Sequence, residues 1–255
     1  WKVSHLTGDS DSGISSNYTY TQAINVNGSN KTINGVTFTG VSGTSGSGWS
    51  YPAGFSGKHA SNTSTVGGQM GSMLSNGMRY SGDPQKIKLT GLTSGKAYVF
   101  SLYSQAWGPE DRSCVLSCSD LSGSLTVNQN QYNSASQDGL LVECTYIASG
   151  TDAEFTVDPN DSGNTWHLYA FSNREKESTW SIERGPSGDD DLTLNLTGAG
   201  GKFTQAVPMN DDSWHHLVTT FGGGAKKIFV DGQEVASASQ SGSVTDSIFK
   251  LVLGD

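Results

Sequence analysis

Short runs of alternating apolar and polar residues recur along the whole chain, roughly every 8 to 14 residues, with clusters of Gly, Ser, Asn or Asp between them. Such alternation indicates strands that turn one face to a core and the other to solvent, and the short spacing leaves no room for long helices. The pattern predicts an all-β chain of about fifteen strands in antiparallel sheets. Predicted strands, most of which alternate, are residues 18–26, 87–90, 96–103, 124–127, 153–157 and 166–171.

The amino-acid composition supports this prediction. Gly, Ser and Thr make up 94 of the 255 residues, more than the 34% that are apolar, and such a chain is poor in residues that extend helices. The composition therefore argues against a helical or α/β enzyme, and residues 69–75 alone have a helical spacing, enough for one or two turns. The chain carries 24 acidic and 15 basic residues, a net charge of −9, which makes nucleic acid a poor partner. No run approaches the roughly 20 apolar residues of a membrane span.

The chain divides near residue 174, where the charged run 174–177 interrupts the alternation. We predict two jelly-roll or β-sandwich domains, residues 1–173 and residues 174–255. Within the second, the pair Asp231-Gly232 lies between two predicted strands, which indicates a two-residue hairpin turn with both residues at positive φ.

Because the chain starts at Trp1, without Met or a signal peptide, we expect a processed product or a part of something longer.

The three cysteines suggest either one disulfide or buried thiols. Cys114 and Cys118 are four residues apart on one predicted strand, about 13 Å by strand rise, which is beyond the reach of a disulfide. Cys144 lies on another predicted strand and is the natural partner for one of them, which leaves an odd thiol. The spacing does not decide which one pairs. A zinc site is the weaker alternative, because no flanking His spacing accompanies the three cysteines.

The sequence carries no pattern typical of catalysis, and we predict that the protein is not an enzyme. A glycosidase needs two carboxylates placed across a sugar. The nearest pair, Glu175 and Glu177, lies in the charged run and is interpreted as a solvated spacer. Nucleophile-elbow, zinc-protease and phosphate-loop motifs are also missing. His215 and His216 are adjacent on a predicted strand, so they point to opposite faces and cannot share one metal ion.

Calcium is the one cofactor that the sequence suggests. Asp9 and Asp11 place carboxylates at alternate positions before Gly13, and residues 158–163 have a similar pattern. Short strings of Asp, Ser and Gly are also common in ordinary turns, which is the favoured interpretation.

Aromatic side chains in loops could bind a polysaccharide. Trp49, Tyr51 and Trp107 lie in Gly- and Ser-rich surroundings typical of loops, where a ring can pack against a sugar. By contrast, Trp166, Trp180 and Trp214 begin alternating strands and are predicted to lie in the core.

Both parts of the chain resemble known families. Residues 213–221, with the string Ser-Trp-His-His-Leu-Val, together with 227–235 and 251–255, resemble the laminin G-like, concanavalin A-like lectin and glucanase fold over roughly residues 178–255. The resemblance implies a fold but no ligand, and in it His215 and His216 are structural. The first part is similar to a β-sandwich module repeated in large secreted surface proteins of environmental bacteria, which implies a secreted or cell-surface location and no enzymatic role. The matching strings are residues 8–15, 19–25, 33–38, 89–92, Trp107-Gly108 with Arg112, 128–130 and 166–173.

The second domain is shorter than the fold that it resembles. A laminin G-like sandwich usually has about a dozen strands or more, whereas seven are predicted from residue 178 to 255. An incomplete sandwich exposes strand edges, and the missing strands could come from residues 1–6 or from a neighbouring copy. We therefore expect the protein to associate with itself, as a non-catalytic building unit of a cell-surface or fibre assembly. The alternative is a carbohydrate-binding module or adhesin.

Overall fold

The computed structural model describes residues 1–60, 62–132, 137–159, 164–176, 181–184, 191–196, 201–206, 213–222 and 225–239. The all-β class is confirmed, because these residues form 21 strands and one short α-helix, besides a single 3-10 turn at Asp9–Asp11. The chain separates into two compact units, Trp1–Lys176 and Glu177–Asp255, a division three residues beyond the predicted one. The charged run is not a spacer throughout, since residues 174 and 175 belong to a strand.

The first unit holds fifteen strands and the helix α1 (Gly68–Leu74). The strands are β1 (Lys2–Leu6), β2 (Tyr20–Val26), β3 (Lys31–Ile33), β4 (Val36–Val41), β5 (Ser45–Gly46), β6 (Trp49–Ala53), β7 (Gly57–His59), β8 (Met78–Tyr80), β9 (Gln85–Thr90), β10 (Ala97–Gln105), β11 (Ser113–Cys118), β12 (Ser124–Asn128), β13 (Gly139–Ile147), β14 (Asp152–Asp158) and β15 (Ala170–Glu175). Several of the shortest, such as β5 and β7, were not predicted. Helix α1 confirms the turn or two predicted at residues 69–75.

Two sheets pack face to face in this unit. One has seven strands in the order β1-β13-β10-β15-β2-β4-β3, and the other has six in the order β12-β11-β14-β9-β6-β5. Their neighbours run antiparallel, except that β2 and β4 pair in parallel. The smaller pair β7 and β8 joins the larger body through a bridge between Arg79 and Leu168. This is the sandwich that the sequence predicts.

The main core lies between the two sheets and is built largely from aromatic rings. Phe100 of β10 and Phe155 of β14 stack across it with their centroids 3.9 Å apart, and Phe171 packs edge-on against Trp49. Trp166 is fully buried here, as predicted. Rings of this size remove a large apolar area from water, so a few residues supply much of the stabilisation of the unit.

A second core covers the opposite face of the seven-stranded sheet. Met70 and Met73 of α1 pack there with Tyr103 and Leu141, whose neighbours Leu102 and Leu140 face the main core. Strand β10 is consequently buried along all nine residues. The expectation that each sheet has one solvent-facing side is therefore wrong for the centre of this sheet. A nearly continuous apolar run is what a strand covered on both faces requires.

The second unit shows two separate three-stranded antiparallel sheets among its described residues. One contains β16 (Ser181–Arg184), β17 (Asp191–Leu196) and β18 (Gly201–Ala206), and the other β19 (Leu217–Gly222), β20 (Ala225–Val230) and β21 (Gln233–Ser239). Asp231 and Gly232, at φ 49° and 80°, join β20 to β21, which confirms the predicted hairpin. Trp214 is fully exposed, so its prediction as a core residue is wrong. Trp180 and the predicted strand at residues 249–253 lie outside the described residues.

No helix in the described ranges is both long and apolar enough to cross a membrane.

Candidate functional site

A cleft of about 330 Å³ opens in the first unit, where the β7–β8 pair meets the loops next to β10, β11 and β15. We call it the His–Trp cleft. Its volume is at the lower end of the range, roughly 300–1,000 Å³, that small-molecule sites occupy. The residues that line it are His59, Met78, Tyr80, Trp107, Arg112, Asn164, Thr165 and His167.

Aromatic rings form much of this lining. The Trp107 ring lies between two imidazoles, with its centroid 5.1 Å from that of His59 and 5.1 Å from that of His167, in nearly perpendicular contacts. Tyr80 contacts the other side of His167, with centroids 5.7 Å apart. The cleft thus combines two large rings that can pack against an apolar surface with nitrogen and oxygen atoms that can form hydrogen bonds.

Two buried glutamines hold the segment that carries His167. The Gln129 side-chain amide accepts the His167 backbone N–H at 2.9 Å and donates to the His167 carbonyl at 2.9 Å. From the other side, the Gln85 amide makes the same two bonds to Trp166, at 2.8 and 2.9 Å. These amides replace the strand neighbours that Trp166 and His167 lack, because β15 starts only at Ala170 and Leu168 alone pairs with Arg79 before it. The prediction of a strand from residue 166 is therefore wrong for its first four residues.

His167 is a neutral imidazole. Its side chain is 4% exposed, and burial, followed by the electrostatic effects of Arg112 and His59, lowers its pKa from 6.5 to about 3. The Nδ1 atom has no hydrogen-bond partner among the residues that the structure describes. A buried imidazole nitrogen without a partner is uncommon in a folded protein, and this atom is out of contact with solvent.

Arg112 supplies the positive charge of the cleft. Its Nη1 donates to the Thr165 carbonyl at 3.0 Å, and burial lowers its pKa from the usual 12.5, yet a guanidinium stays protonated at neutral pH. Its Nε–H is buried and, within the described part of the chain, has no acceptor. Asn164 is fixed beside it by a bond from its side-chain amide to the Asp111 carbonyl at 3.0 Å.

The loop that presents Trp107 is tied to a neighbouring turn. The Trp107 backbone N–H donates to the Asn130 side-chain carbonyl at 3.0 Å, and the Asn130 amide donates to the Glu110 carbonyl at 2.6 Å. Asn130 is buried. These bonds fix the backbone at Trp107, and its indole ring is contacted by His59 and His167.

Of the three aromatic residues predicted to bind a glycan, the structure brings Trp107 alone to the cleft. Trp49 and Tyr51 are 3% and 8% exposed and pack in the main core, so the prediction that they form an exposed platform is wrong. Both belong to β6, which pairs with β9, and the Gly- and Ser-rich flanks conceal this short strand.

Sequence reasoning did not identify the other lining residues as a site. Arg112 occurs in the strings that resemble secreted bacterial surface proteins, and His167 belongs to a segment predicted only as a strand. No sequence spacing connects them to Tyr80 or His59, because residues up to about 110 positions apart meet in the cleft only through the fold.

The carboxylates proposed as calcium ligands already accept hydrogen bonds. Asp9 accepts the backbone N–H groups of Gln69 and Met70 at the start of α1, at 3.1 and 2.7 Å. A Cβ on Gly68, which has φ 71°, would lie 2.6 Å from the Asp9 carboxylate, so glycine permits this approach.

Asp11 has a similar role. It accepts the Thr7 hydroxyl at 2.7 Å and the Gly8 N–H at 3.0 Å. Burial alone would raise the pKa of Asp11, but the bonds from Thr7 and Gly8 lower it below its ordinary value. The described residues contain no group of three or more His, Cys, Asp or Glu side chains placed to hold a metal, and residues 160–163 lie outside them. Calcium binding at Asp9 and Asp11 stays a prediction.

All three cysteines are buried free thiols. Cys118 and Cys144 share a side-chain hydrogen bond. Cys114 is separate, and burial raises its pKa to about 12. The sequence left open which cysteine faces Cys144, and the structure identifies Cys118.

His215 and His216 precede β19 instead of lying on it, and both contact the hairpin residue Asp231. Nδ1 of His215 lies 2.7 Å from the Asp231 carboxylate, and the His216 backbone N–H donates to it at 2.8 Å. These bonds lower the pKa of Asp231. The pair therefore fixes a turn, in agreement with the structural role implied by the resemblance.

Comparison with solved structures finds similarities of low sequence identity to extracellular plant proteins and to an enzyme. A chain in the structure of plant peptide RALF23 in complex with FER and LLG2 is 10% identical, with a TM-score of 0.50, over 63% of this chain and 49% of that one. The ANX1 ectodomain from Arabidopsis thaliana is 8% identical, with a TM-score of 0.49, over 62% and 49%. A calcium-binding mutant of Bacteroides uniformis beta-glucuronidase 2 is 11% identical, with a TM-score of 0.49, over 68% of this chain and 19% of the enzyme. Identities this low concern the fold alone.

Comparison with sequences gives a family. Curated proteins yield no match. The family model described as the concanavalin A-like lectin/glucanases superfamily matches residues 127–255. The match begins within β12 of the first unit, well before residue 178, where the resemblance was predicted to start. Since the match covers half of the chain and agrees with the observed sandwich, the chain belongs to the concanavalin A-like lectin/glucanases superfamily.

Proposed function

We propose that this chain is a non-catalytic carbohydrate-binding module of a secreted or cell-surface protein, and that a sugar binds in the His–Trp cleft. The observation that carries the proposal is the position of Trp107, whose ring lies in the lining of a cleft that also contains Tyr80 and Arg112. Sugars present apolar C–H faces and a rim of hydroxyls, and they are bound where aromatic rings and hydrogen-bonding groups meet.

The polar groups of the cleft suit hydroxyl ligands. Arg112, Asn164 and Thr165 place polar side chains in the lining. Guanidinium, amide and hydroxyl groups can bond to the hydroxyls of a sugar, directly or through a bridging water.

A binding role, instead of hydrolysis, is supported by the composition of the cleft. Hydrolysis of a glycosidic bond ordinarily requires two carboxyl groups about 5 to 10 Å apart. None of the described residues that line the cleft is Asp or Glu. The superfamily includes lectins as well as glucanases by its description, so the non-catalytic role is compatible with the family.

Glycan-array binding of the purified chain tests this proposal, with Trp107→Ala and Trp214→Ala as matched variants. Trp214 is a fully exposed Trp in the other unit, so it controls for the loss of an exposed indole. We expect Trp107→Ala to weaken binding to the retained glycan at least about tenfold, close to 1.4 kcal/mol, and Trp214→Ala to leave it unchanged. A chain that retains no glycan, or one in which Trp107→Ala has no effect, would contradict the proposal.

A building-unit role is a second proposal, favoured by the exposure of Trp214. Trp214 lies just before β19, and Val218, which is also exposed, lies within it. Large apolar side chains left in water are typical of surfaces that associate. In this proposal the second unit contributes contacts between identical copies, and the chain serves as one unit of a surface or fibre assembly.

A further inference from the structure

Cys118 and Cys144 lie on the two opposing sheets of the first unit. Cys118 is the last residue of β11 in the six-stranded sheet, and Cys144 lies in the middle of β13 in the seven-stranded sheet. Both side chains belong to the main core between the sheets. A bond between them would join the two sheets directly.

Strand pairing shows that the two thiols face each other. Cys118 is paired with Phe155 of β14, and Cys144 is paired with Phe100 of β10. The rings of Phe100 and Phe155 stack across the core, with centroids 3.9 Å apart and planes 19° from parallel. Each cysteine therefore lies beside one ring of the same stack, and their thiols are hydrogen-bonded to each other.

From this geometry we propose that Cys118 and Cys144 form a disulfide that links the two sheets, while Cys114 stays a free thiol. Cys114 is four residues from Cys118 on the same strand, about 13 Å away by strand rise, and is paired with Val127 of β12. Disulfides form only between cysteines whose Cα atoms are roughly 4.4–6.8 Å apart, which excludes a bond between Cys114 and Cys118.

The oxidation is a two-electron exchange with a disulfide compound, such as oxidised glutathione or the active-site disulfide of a thiol oxidase. The Cys118 thiolate attacks one sulfur of the oxidant, which releases one thiol and forms a mixed disulfide. Deprotonated Cys144 then attacks the Cys118 sulfur, which forms the protein S–S bond and releases the second thiol. The two cysteines lose two protons and two electrons, and the oxidant disulfide is reduced to two thiols.

Both thiols are buried in the folded chain, with Cys118 4% and Cys144 0% exposed. Because the core excludes solvent once it is closed, the reaction belongs to the folding of the sandwich.

To test the proposal, the full chain is refolded with a mixture of reduced and oxidised glutathione and then unfolded in the presence of iodoacetamide, which alkylates free thiols. Its mass, measured by mass spectrometry, gives the number of alkylated cysteines. With the proposed bond, one cysteine is alkylated before reduction and three are alkylated after it. Three alkylated cysteines before reduction would overturn the proposal, and this measurement needs no variant to fold.

Single Cys→Ala variants identify the pair. Cys114→Ala is the matched control and should retain the bond, with no cysteine alkylated before reduction. Cys118→Ala and Cys144→Ala should each leave two alkylated cysteines. A bond that survives Cys118→Ala but is lost in Cys114→Ala would show that Cys144 pairs with Cys114, and it would overturn the proposal. We also expect the oxidised chain to unfold about 5–10 °C above the reduced one, and an equal midpoint would contradict a link between the sheets.

Discussion

Gln85 and Gln129 bond to Trp166 and His167 as neighbouring strands would, with one donor and one acceptor each. Both glutamines are fully buried, so the backbone groups that they satisfy have no water as a substitute. The position of His167 in the cleft therefore depends on Gln129, a residue that does not line the cleft.

Gln129→Glu should destabilise the first unit by about 2–4 kcal/mol, because a carboxylate oxygen would face the His167 carbonyl and a charge would be buried. Glycan affinity should fall as well, since the His167 segment loses its support. Urea unfolding and array binding measure the two effects. Gln131→Glu, at an exposed position nearby, is the control and should change neither. An unchanged unfolding midpoint for Gln129→Glu would contradict the structural role.

His167 should make the first unit sensitive to acid. Its pKa is about 3 in the folded chain, below its ordinary value of 6.5. Between these values the unfolded chain binds a proton that the folded chain does not, so stability is full above about pH 6.5 and declines as the pH falls. The loss is about 2 kcal/mol by pH 5. Urea unfolding from pH 7 to pH 5 should show this slope in the parent chain and less of it in His167→Gln. Equal slopes would contradict the prediction.

At the residue scale, the sequence predicts side chains whose role follows from local context, such as Trp107 in its loop. It is misleading for Trp49 and Tyr51, because β6 is a short strand bounded by glycines and carries a proline. The glutamine contacts cannot be predicted at all, since an amide in a turn has the same local pattern whether it faces solvent or a backbone 38 residues away.

Among the elements, alternation predicts burial well where a strand has one covered face. Strands β11 and β14 alternate between buried and more exposed positions along their length. Strand β10 does not, because the main core covers one face and α1 contributes to the cover on the other. The sequence of β10 departs from alternation at the apolar run 97–100, but the covering helix is only seven residues long, too short to be recognised as a layer.

The Phe100–Phe155 stack should contribute strongly to the contact between the two sheets. Phe100→Ala removes a fully buried ring, so we expect a loss of about 3–5 kcal/mol in the free energy of unfolding. Ile147→Ala, at the exposed end of β13, should cost less than about 0.5 kcal/mol. Chemical denaturation of both variants under reducing conditions separates this effect from the disulfide. Similar losses in the two variants would show that the stack is not central to the core.

At the scale of the whole molecule, the change in charge pattern near residue 174 predicts a division close to the one observed between Lys176 and Glu177. The family match starting at residue 127 crosses this division, so the part of the chain that carries the family signal is not the same as either unit. A charged run marks where alternation stops, whereas the boundary of a compact unit depends on contacts between distant strands. Glu175, within the charged run, still belongs to β15 and pairs with Tyr98 of β10.

Self-association should depend on the second unit and not on the His–Trp cleft. If exposed Trp214 contacts another copy, Trp214→Ser should shift a concentration-dependent sedimentation profile toward the monomer, because an apolar contact of this size contributes about 1.5–3 kcal/mol. Trp107→Ala is the control here and should leave the sedimentation profile of the parent chain unchanged. In the glycan-binding test the assignment is the opposite: a change at Trp107 is the test and one at Trp214 the control. A parent chain that stays monomeric at all concentrations, with no polymers in electron micrographs, would reject the building-unit role and leave carbohydrate binding unaffected. Conversely, assembly that persists in Trp214→Ser would place the contact between copies on another surface of the chain.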